Sequence, residues 1–151
     1  MNPTIDPQRL AVGDALPLLV IDVTPTRVVA GAIATRDFMP VHHDKSYANS
    51  QGAPDIFMNI LSDTAYCSRF ITDWAGPNAM IKRLAIRLGV PVFPGHTLTY
   101  SGEIESITNN GNESTIEVTL RATNELGEHV SGSVTIVIPH ATTGEQSTAS
   151  A

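Results

Sequence analysis

Cysteine, basic residues and long apolar runs are all scarce in this chain. Cys67 is the only cysteine in the sequence, which excludes an internal disulfide and a metal site built from several cysteines. Nine Lys and Arg residues against 15 Asp and Glu give a net charge of −6, and no Lys/Arg run appears, so a nucleic-acid partner is not expected. No apolar run reaches membrane-spanning length, and residues 1–10 lack the basic and apolar regions of a signal peptide. We therefore expect a cytoplasmic protein that acts away from membranes and nucleic acids.

The composition indicates one folded domain. The chain has 151 residues, of which 42% are hydrophobic and 16% charged, values typical of a globular protein with its own core. Residues 1–13 carry two prolines and little apolar pattern, which predicts a flexible arm. Residues 140–151, HATTGEQSTASA, have no apolar content that could hold them, which predicts a disordered tail. The domain itself is expected over residues 14–139.

The most informative segment is residues 34–44, ATRDFMPVHHD. It places a carboxylate, Asp37, and an imidazole, His42, five residues apart with Pro40 between them. Proline removes a backbone donor and disfavours the α conformation in the residue before it, so the chain has to turn here. A turn can direct both side chains toward one point, where a carboxylate and an imidazole that share a water form a general acid/base pair. Asp37 and His42 are therefore the candidate catalytic residues, although the same spacing also arises by chance in a polar loop.

Short elements flank this segment. Residues 16–23 are short and rich in branched side chains, which favours a strand. Residues 26–35 are ambiguous between helix and strand, and a threonine cap at Thr24 or Thr26 favours the helix. Residues 45–50 are expected to form one helical turn.

A long buried helix is predicted over residues 55–74. The sequence Gly-Ala-Pro-Asp at residues 52–55 is typical of a helix start, with an acid in the first turn, and Gly76-Pro77 ends the pattern. The apolar stripe is too broad for a surface helix, so a sheet should wrap it. The stripe consists of Ile56, Ile60, Cys67, Ile71 and Trp74, widened by Phe57, Leu61 and Phe70.

The rest of the chain is predicted to be strands, over residues 79–90, 96–107, 114–123 and 130–138. The Asn-Gly pair at residues 110–111 is a strong hairpin signal, and residues 125–128 turn the chain again. One strand, a long helix and then antiparallel strands form an α+β chain, and a single helix wrapped by a curled antiparallel sheet is the hotdog architecture. Such a sheet has uncovered edges, which favours pairing with a second subunit.

Other polar residues have structural interpretations. His43 is expected in solvent, and Asp63, which interrupts the apolar helix face, is expected to be a hydrogen-bonded buried acid more than a pocket-lining residue. Cys67 is expected to be a small inert core residue. Arg83 and Arg87 could hold a phosphate, although solvated strand positions are favoured. No spacing groups three metal ligands, so no metal site is expected.

These residues resemble a known family. RDFMPVHHD resembles the D-x-N-P-[IL]-H-x-D signature of the MaoC-like (R)-specific enoyl-CoA hydratases, and VPVFPGHTL at residues 90–98 resembles their PV-x-x-GDTL segment. The match extends in order over residues 16–138. The DIF-x-NIL-x-DT, TDWAGP and RLGVP segments further resemble the small hydratase subunits of bacterial steroid side-chain degradation. Asp37, Pro40, Val41, His42 and Asp44 match the signature, whereas Met39 stands where the family usually has Asn.

The resemblance implies a reaction and a set of roles. Asp37 and His42 would hold the water that adds across the trans-2 double bond of an enoyl-CoA, with a bulky, steroid-like acyl group. The backbone N–H of Asn59, at the position of the family's oxyanion glycine, or that of Gly52 would stabilise the thioester enolate. No cofactor is implied, since CoA is part of the substrate. The expected assembly is a homodimer or a heteromer with a second MaoC-like subunit.

Two alternatives remain open at this point. The chain could be an acyl-CoA-binding or scaffold subunit whose partner performs the chemistry. It could also be a hotdog acyl-CoA thioesterase that uses a carboxylate near the long helix, with Asp63 as the candidate.

Overall fold

The structure of the chain is a computed structural model that describes residues 4–140. Three α-helices and five strands follow one another in it, with two short 3₁₀ turns at Pro7–Arg9 and Pro40–His42. The helices are α1 (Pro25–Ala34), α2 (Lys45–Ser50) and α3 (Ile60–Ala75). The strands are β1 (Leu19–Asp22), β2 (Met80–Leu88), β3 (Thr97–Asn110), β4 (Glu113–Asn124) and β5 (Gly127–Pro139).

The five strands form one antiparallel sheet in the order β1-β3-β4-β5-β2. The alternation predicted for β4 is regular, with buried side chains at every second position from Ser114 to Ala122. β3 and β4 are joined through Gly111, whose φ of 66° is the left-handed conformation that the Asn-Gly pair predicts. β1 and β2 are the two outer strands of this sheet, so within residues 4–140 each has an edge that pairs with no further strand.

Helix α3 packs on one face of the sheet, as predicted, although Ile60 and Leu61, which were assigned to its apolar stripe, are 52% and 48% exposed. Its buried side chains include Cys67, Phe70, Ile71 and Ala75, which share one core with the inward residues of the sheet. A Cβ on Gly102 of β3 would lie 3.0 Å from the Phe70 ring, so the missing side chain lets the helix approach the sheet. The predicted arrangement of one long helix against a five-stranded antiparallel sheet is confirmed.

The start of α3 was predicted wrongly. The helix begins after Asn59, whose side chain accepts a hydrogen bond from the Ser62 N–H, and not at Asp55. The carboxylate of Asp55 instead binds Lys45 at 2.7 Å and accepts a hydrogen bond from the N–H of its neighbour Ile56. Asp55 therefore does not cap a helix. Residues 53–59 therefore run as an irregular segment, which the Met58 N–H fastens to the carbonyl of Val92 at 3.2 Å.

The other predicted elements shift little. α1 and α2 lie where the sequence predicts them, and the side chain of Thr24 caps α1 by accepting from the Arg27 N–H. β1 is shorter than the predicted strand over residues 16–23, because Pro17 has no N–H to donate to β3. The chain before it still bonds to β3, through the isolated Ala15–Glu103 bridge and through the Leu16 N–H, which donates to the carbonyl of Gly102.

The two ends of the chain differ in what the structure describes. The described part of the predicted flexible arm is fastened to the fold: the Ile5 N–H donates to the carbonyl of Ala75 and the Gly13 N–H to that of Ile104. In the predicted tail, His140 is described, and its N–H donates to the carbonyl of Asn112. The remaining tail, residues 141–151, lies outside the described residues, and the domain boundaries stay a prediction.

Candidate active site

Asp37 is placed by the way helix α1 ends. Thr35 is the C-cap, and Arg36 follows in the left-handed conformation with a φ of 59°. The Arg36 N–H donates to the carbonyl of Ile33, and the Asp37 N–H reaches back to that of Ala32 at 2.9 Å. These two hydrogen bonds together form the Schellman motif, which turns the chain sharply at a helix end. Asp37 is therefore held by its backbone as the last residue of the motif.

His42 is placed by the 3₁₀ turn that Pro40 begins. The ring is buried, and its Nδ1 donates a hydrogen bond to the carbonyl of Phe57 at 2.7 Å. A carbonyl can only accept, so Nδ1 carries the proton in the neutral ring and Nε2 presents a lone pair. Nε2 lies 3.4 Å from Oδ2 of Asp37. The segment thus brings the two predicted catalytic groups together, with the imidazole orientation fixed from behind.

Asn59 holds the carboxylate of this pair. Its side-chain amide donates to Oδ2 of Asp37 at 2.9 Å and to the hydroxyl of Thr35 at 2.8 Å, while its Oδ1 caps α3. The Asn59 hydrogen bond lowers the pKa of Asp37; partial burial opposes this, and the Met39 N–H and the nearby His42 ring lower it further. Asp37 is therefore an ionised carboxylate at neutral pH.

The Asp37–His42 pair can bind one water molecule that donates both of its hydrogens to the pair. When the His42 ring is neutral, the carboxylate of Asp37 and the Nε2 lone pair are both hydrogen-bond acceptors, so a shared donor is needed to join them. A water between them can donate one hydrogen to each, which leaves its oxygen lone pairs directed at a substrate. Beside this point α3 begins, and within residues 4–140 no hydrogen bond has the Asn59 N–H as its donor. That N–H lies at the positive end of the helix and can donate a hydrogen bond to an oxygen on which negative charge develops.

The pair lies on a cavity of about 350 Å³ with a mostly apolar wall. One side is formed by the catalytic pair and the start of α3, and the other by the loop that follows β2. The lining residues are Asp37, His42, Phe57, Met58, Asn59, Ile60, Leu88, Gly89, Val90, Pro91 and His129.

His129 is the lining residue that the sequence did not reveal. Its Nε2 lies 2.9 Å from Oδ1 of Asp63, and its Nδ1 donates to the carbonyl of Val90 at 2.6 Å. Burial lowers the pKa of His129, but the hydrogen bond and charge of Asp63 and the Val90 carbonyl raise it more, so the net shift is upward. Asp63 itself is fully buried, as its structural interpretation predicted. Its burial behind His129 removes it from the role that a thioesterase would require.

The remaining predicted residues lie apart from the pair. The Gly52 N–H donates to the carbonyl of Asn49 at 3.0 Å, and Gly52 does not line the cavity, whereas Asn59 does. His43 is exposed, as expected. Arg83 and Arg87 are exposed positions on the outer strand β2. Cys67 is buried in the core.

Within residues 4–140, no group of three His, Cys, Asp or Glu side chains is arranged to hold a metal ion. In the same part of the chain, none of the helices is both long and apolar enough to cross a membrane.

Comparison with known proteins identifies the family. Residues 12–126 match the MaoC like domain family. The 3-oxo-4,17-pregnadiene-20-carboxyl-CoA hydratase beta subunit of Mycobacterium tuberculosis (strain ATCC 25618 / H37Rv) is 47% identical over 123 residues, which cover 82% of this chain and 92% of that protein.

Solved structures agree with this assignment. The ChsH1-ChsH2 complex from Mycobacterium tuberculosis contains a chain with a TM-score of 0.80 and 46% identity, covering 85% of this chain and 98% of that one. R-hydratase PhaJ1 from Pseudomonas aeruginosa has a TM-score of 0.81 at 22% identity, covering 91% and 88%, which shows a shared fold. The chain therefore belongs to the MaoC-like dehydratase family and has its hotdog fold.

Proposed function

We propose that this chain is an enoyl-CoA hydratase that adds water across the trans-2 double bond of a bulky, steroid-type enoyl-CoA thioester. The observation that carries the proposal is the Asp37–His42 pair, whose carboxylate and Nε2 are 3.4 Å apart at the start of α3. The acyl part of such a thioester is largely apolar and ends in a polar carbonyl. It therefore suits a mostly apolar cavity with its polar groups at one end.

The reaction needs one base, one acid and one oxyanion donor. The bound water attacks C3, forming the C3–O bond, while one of its protons passes to the Asp37–His42 pair. The π electrons of the double bond move through C2 to the thioester oxygen, where the Asn59 N–H stabilises the enolate. The pair then returns a proton to C2, which restores both groups and completes the addition of one water. No cofactor besides the CoA of the substrate is required.

The acyl group and the partner are inferred from the relatives. The 47% identical relative is named for a pregnadiene carboxyl-CoA, and it is a beta subunit. The 46% identical chain was solved in a ChsH1-ChsH2 complex. We therefore propose a steroid-type acyl group and a heteromer with a second MaoC-like subunit. We also propose a cytoplasmic location, with which the single free thiol of Cys67 is compatible.

The first experiment follows the loss of enoyl thioester absorbance with 3-oxo-4,17-pregnadiene-20-carboxyl-CoA and with crotonyl-CoA. The chain is assayed alone and mixed with a second MaoC-like subunit. We expect hydration of the steroid substrate, preferred over crotonyl-CoA. Absence of turnover of both substrates by the folded mixture would overturn the proposal.

Two substitutions assign the chemistry to this chain. Asp37→Asn removes the carboxylate charge and His42→Ala removes the ring, so each should reduce kcat at least about 10²-fold with the folded state retained. Asp55→Asn and His43→Ala are matched controls, because both residues lie near the site without lining it, and they should keep full activity. If Asp37→Asn remained active in the mixture, the partner would perform the chemistry and this chain would be the binding subunit.

A further inference from the structure

A second pair of ionisable groups lies behind the wall of the active-site cavity. The side chains of Asp63 and His129 are 0% and 3% exposed, and Nε2 of His129 lies 2.9 Å from Oδ1 of Asp63. The proposed hydration uses neither group. Buried ion pairs add little net stability, since desolvation offsets their attraction. A buried pair of which one member, His129, lines a cavity therefore requires an explanation other than stability.

The protons of the pair can be counted from its acceptors. Nδ1 of His129 faces the carbonyl of Val90 at 2.6 Å, so Nδ1 carries a proton. Nε2 faces a carboxylate oxygen, and while Asp63 is ionised this nitrogen also carries a proton. His129 is then an imidazolium with both N–H groups in use, and it lines the cavity directly.

The same histidine fastens the loop that forms one wall of the cavity. The Gly89 N–H donates to the backbone carbonyl of His129 at 2.8 Å, and the Val90 N–H donates to that of Glu128 at 3.1 Å. A Cβ on Gly89 would lie 2.3 Å from the Glu128 carbonyl oxygen, so loop and strand are in close contact. With the ring bond to Val90 added, three hydrogen bonds fix residues 89–90 against β5.

The first turn of α3 connects this wall to the catalytic pair. Asn59 and Asp63 are four residues apart, and the Asp63 N–H donates to the carbonyl of Asn59 at 3.2 Å. Asn59 holds Asp37 on one side of the cavity, whereas Asp63 holds His129 on the other. One helical turn thus sets the distance between the two walls.

We propose that Asp63 and His129 are positioning residues for the hydration: they fix the wall at residues 89–90 opposite Asp37 and His42, and the ion pair presents its positive end, the His129 ring, to the cavity. This inference rests on the proposed function. The charge favours the transition state, because negative charge develops on the thioester oxygen only as water adds.

The test separates charge from shape. Asp63→Asn preserves the size of the side chain, and the new amide can donate to Nε2 of a neutral His129 that still donates to Val90. We expect kcat of the assembled enzyme to fall between about tenfold and about a hundredfold, with KM changed much less and the melting temperature retained. Ser114→Ala is the control. It removes a buried hydroxyl that is bonded to Asn109 at the start of β4, whereas His129 lies beside the other end of that strand. It should leave kcat unchanged.

Imidazole NMR on ¹⁵N-histidine-labelled protein reads the protonation directly. The His129 signals, assigned by their loss in His129→Gln, should show two ring N–H groups in the wild type and one in Asp63→Asn. A wild-type His129 with a single ring N–H would overturn the inference, as would an Asp63→Asn enzyme with unchanged kcat. Absence of turnover by the wild-type complex would overturn the proposed function as well, so the two failures are distinguishable.

Discussion

Asn59 combines three tasks in one small side chain. Its oxygen caps α3 by accepting from Ser62, while its amide group donates to Asp37 and to Thr35. The first task concerns the stability of the helix and the second the charge of a catalytic group. Because different atoms perform them, substitutions can separate the two.

Asn59→Ser should reduce activity without unfolding the protein. Serine is as good a helix cap as asparagine, but its shorter side chain does not reach Asp37. The pKa of Asp37, which the Asn59 hydrogen bond lowers, should then rise toward its ordinary value. The acidic limit of the kcat–pH profile should move to higher pH, because Asp37 has to be ionised. Asn59→Ala, which also removes the cap, should further lower the free energy of unfolding by about 1 kcal/mol. An unshifted acidic limit in Asn59→Ser would contradict this role.

Arg36 is held in a conformation that glycine adopts more easily. Its φ of 59° closes the motif that positions Asp37, and its side chain is exposed. Arg36→Gly should therefore raise the free energy of unfolding by up to about 1 kcal/mol in denaturant titrations. Arg36→Ala keeps a Cβ and should stay close to the wild type. Equal stability of the glycine and alanine variants would show that the backbone is not strained there.

Among the secondary elements, the sequence predicts those whose signals are local. The cap at Thr24, the Asn-Gly turn and the alternation of β4 each act within a few residues, and the elements they predict are present. The start of α3 was missed because Pro54 and Asp55 imitate a helix start, whereas the actual cap, Asn59, depends on contacts with α1. Tertiary contacts therefore decide where α3 begins.

The sequence could predict candidate site residues only where they are neighbours in sequence or match the family signature. Asp37 and His42 share one turn, and Asn59 stands at the family's oxyanion position. His129 lies next to inward-facing Val130, so strict alternation along β5 would direct it outward. Both residues are nevertheless buried, near the start of the strand. The irregular pairing between Ala122 and Thr123 lies opposite this point. The one available signal was Asp63, since a buried acid requires a partner.

The Asp63–His129 pair should make the stability of the fold pH-dependent on the alkaline side. The pKa of His129 is raised in the folded state, so its stabilising contribution is complete below the unfolded-state value of about 6.5 and is lost as pH rises through the higher folded-state value. The free energy of unfolding should thus fall as the pH rises above about 6.5 and through the raised pKa of His129, and His129→Gln should remove this dependence. His43→Gln, at an exposed position, should retain it. A wild-type profile that is flat over this range would contradict the raised pKa.

On the scale of the whole molecule, the surface has two features that favour association with another chain. β1 and β2 leave two free sheet edges, and several large apolar side chains near the catalytic pair are exposed. They are Phe38, Met39, Ile60 and Leu61, at 65%, 47%, 52% and 48% exposure. Free edges and apolar patches of this kind favour association with another chain.

Sedimentation velocity should therefore find this 16.1 kDa chain in an assembly of at least two subunits. Mixed with a second MaoC-like subunit, it should form a heteromer in preference to a homodimer, and the heteromer should carry the hydratase activity. A stable monomer that remains alone in the mixture would contradict both the partner and the subunit interpretation.

The position of Cys67 has a practical consequence. The thiol is fully buried under α3, and burial, together with the charge of Asp63, raises its pKa to about 12. An alkylating reagent in solution cannot reach this sulfur, or find it as a thiolate, until the helix leaves the sheet. Because the chain has no other cysteine, each labelling event reports one opening of the core. The rate at which Cys67 is alkylated thus measures how often α3, whose first turn borders the candidate active site, separates from the sheet.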